Sequence, residues 1–170
     1  MKKNILILIL LMITIFSCKP KTEQLILIEE IEKLEQKLYS SKGEVNFELA
    51  SETLKKYDEF VEKYKTDSLS PEYLFKAASL ANGIDDNFKA LSYLQKIEKS
   101  YPNYEKSGTV LFQHAFILDN CIKDKNGAKE YYKKFVKQYP NHILAKDAEN
   151  AIALLELTDE ELINFLESNN

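Results

Sequence analysis

The chain has 170 residues, 45% of them hydrophobic and 29% charged, and its formal net charge at pH 7 is −4. All of its basic residues apart from two histidines are lysines, because the sequence contains no arginine. It therefore lacks both the basic character typical of nucleic-acid-binding proteins and the side chain that best recognises phosphate, so nucleic acid is not an expected partner.

The start of the chain has the layout of a secretory signal peptide. Two lysines follow the first methionine, residues 5–16 are almost entirely apolar, and the small Ser17 precedes Cys18. The apolar run is shorter than the roughly 20 residues that a transmembrane helix needs. We therefore predict a signal peptide over residues 1–17.

The stretch Ile15-Phe16-Ser17-Cys18 resembles the lipobox of bacterial lipoproteins. In that family, a diacylglycerol is attached to the cysteine thiol and a peptidase cuts just before this residue. The resemblance implies two or three acyl chains on Cys18, palmitate among them, and a tether over residues 18–24. Lys19 stands where an aspartate retains such proteins in the inner membrane, so the resemblance implies the outer membrane and a periplasm-facing domain. An ordinary signal peptide with an incidental cysteine is the alternative.

The mature chain is predicted to form a helical domain over residues 25–170. Glycine and proline are scarce, with four residues each, while good helix formers are abundant. Apolar residues recur at helical spacing at its start: Leu25, Ile28, Ile31, Leu34 and Leu38. After a turn at residues 40–43, a second helix covers residues 47–65. We predict a first hairpin over residues 25–65, with a coiled-coil oligomerisation arm as the alternative.

Two later segments repeat one another. Residues 89–104 align with residues 128–142 so that Ala90 matches Ala128 and the sequence Tyr-Pro-Asn recurs. A weaker upstream copy places Tyr57, Phe60 and Tyr64 opposite Leu94, Ile97 and Tyr101. Between the copies, a further helix is marked by Ala78, Ala115 and Ala153. A repeating unit of two helices predicts an all-α solenoid.

The spacing of these alanine, aromatic and proline residues resembles the tetratricopeptide repeat. Residues 71–104 supply Ala78, Ala90, Leu94, Ile97 and Pro102, and residues 108–142 supply Ala115, Ala128, Tyr132, Phe135 and Pro140. The second unit has one extra residue in its internal turn. The resemblance implies an α-solenoid of helix-turn-helix repeats with hairpins over these two ranges, followed by C-terminal capping helices over residues 144–168.

Short polar motifs predict where helices begin and end. Ser70 is predicted to cap a helix in which Pro71 is the first residue, and Gly83 to close it. Asp85-Asp86 is predicted to cap the next helix. Thr158-Asp159-Glu160-Glu161 has the pattern of a capping box and predicts a last short helix.

No motif in the sequence points to catalysis. His114 and His142 have no partner at metal-ligand spacing, and Cys121 has no second cysteine nearby. In the repeat register, His114 falls where a side chain faces the partner helix, so we expect it to have a packing role. Asp85-Asp86 is more simply a helix cap than a calcium or acid–base pair. We predict a non-enzymatic protein with no cofactor and no metal.

In the tetratricopeptide family, partners bind a concave groove lined by the first helix of each repeat. The resemblance assigns to this groove Glu72, Phe75, Ser79 and Asn82, then Thr109, Phe112, Phe116 and Asp119, then Asp147, Asn150, Leu154 and Leu157. The alternative is that the phenylalanines pack inside the solenoid or under the N-terminal hairpin. Phe75 and Ser79 replace the lysine and asparagine that clamp a terminal carboxylate in chaperone-binding relatives, so that ligand is not expected.

The predicted function is therefore that of a lipid-anchored scaffold. Its expected partner is a protein or peptide of the cell envelope, bound in the groove during outer-membrane or envelope assembly. The alternative is an accessory to an envelope enzyme, or a solute-binding lipoprotein.

Overall fold

A computed structural model of the chain describes residues 22–40 and 46–168. The predicted signal peptide, Cys18 and most of the turn at residues 40–43 lie outside the described residues. The helices are α1 (Glu23–Ser40), α2 (Phe47–Lys63), α3 (Leu69–Gly83), α4 (Asn87–Ser100), α5 (Ser107–Ile117), α6 (Lys125–Gln138), α7 (Ala145–Glu156) and α8 (Asp159–Ser168), and a π-helical segment, Leu118–Ile122, extends α5.

Each helix from α1 to α6 packs against the helix that follows it in the chain. The described residues contain no β-strand. This arrangement confirms the prediction of an all-α solenoid of helical repeats. We refer to α1, α3, α5 and α7 as the first helices, and to α2, α4 and α6 as the second helices. Since α1 packs on α2, and α2 on α3, the first hairpin is part of the stack.

The core lies between the first and second helices, where the repeat pattern predicts it. Ala90 and Ala128 are completely buried, which allows neighbouring helices to approach closely. The large residues of the same pattern are buried as well, namely Tyr57, Phe60, Leu94, Ile97, Tyr132 and Phe135. Small and large side chains therefore alternate in the core as the repeat predicts.

The three alanines that mark the further helix all lie on first helices, as predicted, but their environments differ. Ala78 and Ala115 are completely buried, whereas Ala153 on α7 is exposed. Glu149 occupies the α7 position that is Leu111 on α5. On α5, the corresponding face packs against the second helix α6. On α7, which carries a glutamate at this position, the same face is exposed to solvent. Capping elements of solenoids need such a polar outer face.

The predicted start of α3 is also wrong. Helix α3 begins at Leu69, so Ser70 and Pro71 lie inside its first turn. The backbone N–H of Leu69 donates to the Asp67 carboxylate at 2.8 Å, and Ser70 is buried with its hydroxyl donating to the Tyr64 carbonyl at 2.6 Å. Asp67 therefore closes the preceding turn, and Ser70 ties that turn to the helix.

The connections inside the two repeats differ in length and share a left-handed residue. Gly83 ends α3 as predicted, but the left-handed backbone belongs to Asp85, at φ 61°. Asp86 caps α4 by accepting from the Lys89 N–H at 3.3 Å, as predicted. In the second repeat, the extra residue is accommodated where the chain forms the π-helical segment, which ends at left-handed Lys123, at φ 65°.

Helix α8 begins with the predicted capping box. The Thr158 N–H donates to the Glu161 carboxylate at 2.8 Å, and the Glu161 N–H donates to the Thr158 hydroxyl at 3.3 Å. This helix makes at most marginal contact with the rest of the described chain. Among the described residues, none of the helices combines the length and the apolar composition needed to cross a bilayer.

Candidate functional site

The candidate site is the exposed surface of α3, α5 and α7, which we call the first-helix face. The twelve residues that the tetratricopeptide resemblance assigned to a groove lie on these helices or directly after them, Asp119 in the π-helical segment and Leu157 after the end of α7. The structure separates them into residues that hold the helices together and residues that are available to a partner.

Glu72 holds α3 to the turn that precedes α5. Its carboxylate accepts a hydrogen bond from the Tyr104 hydroxyl at 2.5 Å and forms an ion pair with the Lys106 ammonium at 2.7 Å. Burial alone would raise the pKa of the Glu72 carboxyl, but the bonds from Lys106 and Tyr104 outweigh it, and the pKa is lowered. Glu72 is therefore a structural residue within the predicted groove.

Phe75 is covered by the same cluster. The Lys106 ammonium lies 5.6 Å from the centre of the Phe75 ring, and the Tyr104 ring centre lies 6.3 Å from it. Sequence analysis did not identify either covering residue, because both lie in a turn between repeats, where no helical periodicity marks them.

The two phenylalanines of α5 lie in different environments. Phe112 is half-buried, and its ring packs edge-on against Tyr132 and Phe135 of α6, with ring centres 5.6 Å apart in both pairs. Phe116, one turn later, is 44% exposed. Phe112 is thus held within the repeat, whereas Phe116 offers an apolar surface to a partner.

Leu154 of α7 extends this apolar surface. It occupies the repeat position of Phe116 on the neighbouring first helix and is 40% exposed. Asn150, one turn earlier on α7, is also exposed, as is Asp147, while Leu157 is half-buried. Phe116 and Leu154 are therefore exposed apolar side chains at equivalent positions of successive first helices.

Polar contacts link α3 to α5 at the other side of the face. The Gln113 amide of α5 donates to the Ser79 hydroxyl of α3 at 3.4 Å. The Asn82 amide of α3 donates instead to Asn87, the first residue of α4, at 2.6 Å. The Gln113 Oε1 atom is buried and has no hydrogen-bond partner among the described residues. Sequence analysis did not single out Gln113, because a lone glutamine has no pattern that distinguishes it.

The remaining predicted groove residues of α5 and its extension are half-buried. Thr109 lies in the first turn of α5, and Asp119 lies in the π-helical segment. Burial, and to a lesser extent the Asp119 charge, raise the pKa of the Tyr132 phenol to about 12. Asp119 therefore lies close enough to the repeat interior to influence a buried group.

His114 has the packing role that the register predicted. It is buried, its Nδ1 atom lies 2.9 Å from a Glu98 carboxylate oxygen, and its ring stacks on Tyr131 with centres 3.7 Å apart. The described residues contain no group of three or more histidine, cysteine or acidic side chains placed to hold a metal ion. The Cys121 side chain is exposed, and the sulfur of its free thiol lies 3.5 Å from the Asn82 amide nitrogen.

Comparison with known families agrees with this geometry. The family model of the tetratricopeptide repeat matches residues 72–104 and 109–142, which correspond to α3–α4 and to α5–α6 with its following turn. No curated protein matches the chain. Tetratricopeptide repeats generally mediate protein–protein interaction. The two central hairpins are therefore similar to tetratricopeptide repeats, and they lie within an all-α solenoid of helical repeats.

Proposed function

We propose that this protein is a lipid-anchored scaffold of the bacterial cell envelope that binds another protein through its first-helix face. The match to tetratricopeptide repeats supports a protein partner. The observation that carries the choice of surface is the exposure of Phe116 and Leu154 at equivalent positions of successive first helices. Exposed aromatic and aliphatic side chains on a rigid surface are typical binding anchors.

The proposed partner places an apolar side chain between α5 and α7. Phe116 and Leu154 supply the apolar contact, and Asn150 and Ser79, both exposed, can hydrogen-bond the backbone of an extended or helical peptide. Glu72 and Lys106 are paired with each other and keep α3 in place beneath the site.

Partner capture tests the binding surface. Crosslinking followed by purification from bacterial membranes would compare the parent protein with the variant Phe116→Ala. Loss of an anchoring aromatic costs on the order of 2 kcal/mol, which is about thirtyfold in affinity. We expect capture of the same protein to fall strongly, with the unfolding temperature little changed because Phe116 is 44% exposed.

Two further variants control this experiment. Phe88 is 76% exposed, at the start of α4 and away from the first-helix face, so Phe88→Ala should leave capture intact. Phe112→Ala should instead lower the unfolding temperature, because its ring packs on Tyr132 and Phe135. Equal capture by Phe116→Ala and Phe88→Ala would exclude the proposed surface.

The proposed membrane anchor is acylated Cys18 in the outer membrane, with the helical domain in the periplasm. Its support is the lipobox-like sequence Ile15-Phe16-Ser17-Cys18 after an apolar run. Two or more acyl chains anchor a protein stably, whereas one chain binds only marginally.

Replacing the proposed acylated residue tests the anchor. The variant Cys18→Ser should move from the membrane fraction to the soluble envelope fraction, and mass spectrometry should show acyl chains on Cys18 of the parent only. The matched control is Cys121→Ser, which replaces an exposed thiol inside the domain and should remain with the membranes. A Cys18→Ser protein that still sediments with membranes after a salt wash would contradict the proposal.

A further inference from the structure

The chain enters the solenoid at one particular edge. At the start of α1, the Glu23 carboxylate pairs with Lys63 at 2.6 Å, and the Gln24 amide donates to the Asp67 carboxylate at 2.7 Å. Lys63 ends α2, and Asp67 lies in the turn that leads to α3. The first turn of α1 is therefore fixed beside the turn at residues 64–68.

The same edge continues through the other turns between repeats. The Tyr101 hydroxyl donates to the Lys65 carbonyl at 2.8 Å, and the two turns enclose a cleft of about 730 Å³. At the next junction, a Cβ atom on Gly108 would lie 3.2 Å from both Tyr139 and His142. We call this surface the turn edge; it comprises residues 23–26, 64–68, 101–106 and 139–144.

Three large apolar side chains are exposed on the turn edge. Ile143, in the last segment of the turn edge (residues 139–144), is 90% exposed. Leu25 and Ile26, in the first turn of α1, are about half exposed. The three side chains lie at the two ends of the edge. Two other strongly exposed apolar residues, Phe47 and Phe88, stand at the starts of α2 and α4, at the opposite edge of the stack.

The turn edge carries acidic Glu23, Asp67 and Glu105 against Lys65 and Lys106, and ion pairs join several charges on or beside it. Lys63 pairs with Glu23, Lys65 pairs with Glu62 at 3.2 Å, and Lys106 pairs with Glu72. A surface of paired charges has little attraction for an anionic partner. Contact through this edge would therefore depend on its apolar side chains.

The distance from the proposed anchor limits the orientation of the domain. Four residues lie between Cys18 and Glu23, and the five residue steps span at most about 17 Å when the chain is fully extended. Acyl chains on Cys18 would thus keep the first turn of α1 close to the bilayer. Residues with apolar bodies are favoured at the membrane–water interface.

We propose that the turn edge faces the bilayer, with Ile143, Leu25 and Ile26 in contact with the lipid interface. This inference rests on the proposed anchoring through Cys18. The helix axes then stand along the membrane normal, and the first-helix face opens sideways, parallel to the membrane. Phe116 and Leu154, near the C-terminal ends of α5 and α7, would then lie on the side away from the bilayer, as would Phe88 at the start of α4.

Lipid quenching of site-specific fluorescence tests this orientation. The full-length acylated protein carrying Cys121→Ser would be purified from bacterial membranes with a single new cysteine, Ile143→Cys or Phe88→Cys. Both positions are at least 76% exposed, so substitution and labelling should leave the fold intact. The labelled proteins would be placed in phosphatidylcholine vesicles with and without brominated acyl chains. We expect quenching at position 143 and none at position 88.

The other outcomes separate the orientation from the anchor. If the protein floats with the vesicles while position 143 is unquenched, or is quenched no more than position 88, the anchor stands and the orientation is wrong. If the protein does not float with the vesicles and mass spectrometry finds no acyl chain on Cys18, the anchor fails and the orientation fails with it.

Discussion

Glu98 joins three helices through a single carboxylate. It lies on α4, it contacts His114 of α5 at 2.9 Å, and it pairs with Lys134 of α6 at 2.7 Å. Burial would raise the pKa of this carboxyl, but the bonds from His114 and Lys134 outweigh burial, so the pKa is lowered. The ionised form of Glu98 therefore stabilises the fold, and protonating it removes that contribution.

The sign of this shift predicts how stability depends on pH. A carboxylate with a lowered pKa in the folded state stabilises the protein above its ordinary pKa of 4.5, and this contribution is lost as the pH falls through the folded value. Glu98→Gln should unfold at a lower temperature than the parent at neutral pH and should lose less stability on acidification below about pH 4.5. Thermal unfolding at a series of pH values would measure both.

A surface carboxylate supplies the control. Glu62 also pairs with two lysines, but it is fully exposed, and such pairs contribute little to stability. The unfolding temperature of Glu62→Gln should match that of the parent at every pH. If acidification lowers the unfolding temperature of Glu98→Gln as much as that of the parent, the ionised Glu98 carboxylate does not stabilise the fold.

The role of a single residue can be predicted from the sequence more easily than its partners can. The packing role of His114 could be predicted, because the repeat register directs that position toward the partner helix. Its carboxylate partner Glu98 could not, because the pair spans two helices and no periodicity relates one to the other. For the same reason, the cluster of Glu72, Tyr104 and Lys106 appears only in the structure.

At the scale of helices, the small residues set the distance between neighbours. Ala128 of α6 is completely buried where helices meet, whereas Ala153 of α7 is exposed on a solvated face. Both are alanines of the repeat pattern, so the same substitution at the two positions compares the two environments directly.

Ala128→Leu should therefore destabilise the protein, and Ala153→Leu should not. Adding three carbon atoms to a packed core typically costs about 1–3 kcal/mol, which lowers the unfolding temperature by several degrees in a domain of this size. Thermal unfolding of Ala128→Leu, Ala90→Leu and Ala153→Leu would measure the difference. A similar unfolding temperature for Ala128→Leu and the parent would contradict the close helix contact assigned to Ala128.

Helix interiors were more predictable than helix ends. The interior register follows from many side chains that repeat with the same period, so one unusual residue does not shift it. A helix end depends on a few local hydrogen bonds. Here Asp67 accepts from Leu69, and α3 therefore begins before Ser70. The exposed or covered state of Phe112 and Phe116 depended on packing with α6, which the sequence pattern does not specify.

At the scale of the whole molecule, stability should be distributed along the stack. Each helix from α1 to α7 packs mainly on its neighbours in the chain, so the loss of a terminal element affects chiefly the helix beside it. Helix α7 buries Ala145 and Ala148, whereas α8 makes at most marginal contact with the rest of the described chain. The two terminal helices should therefore contribute unequally to the folded state.

Truncation from the C-terminus tests this difference. A protein ending at residue 157 lacks α8 and should unfold at nearly the same temperature as the full chain. A protein ending at residue 144 also lacks α7, and it should unfold at a temperature several degrees lower. The reason is that the apolar surface of α6 that Ala148 covers becomes exposed to water. Each 1 kcal/mol of lost stability shifts the unfolding temperature by roughly 2–8 °C. Circular dichroism during heating would compare the three proteins. A large loss on removing α8 alone would show that this helix packs on the solenoid, and α7 would then not be its terminal cap.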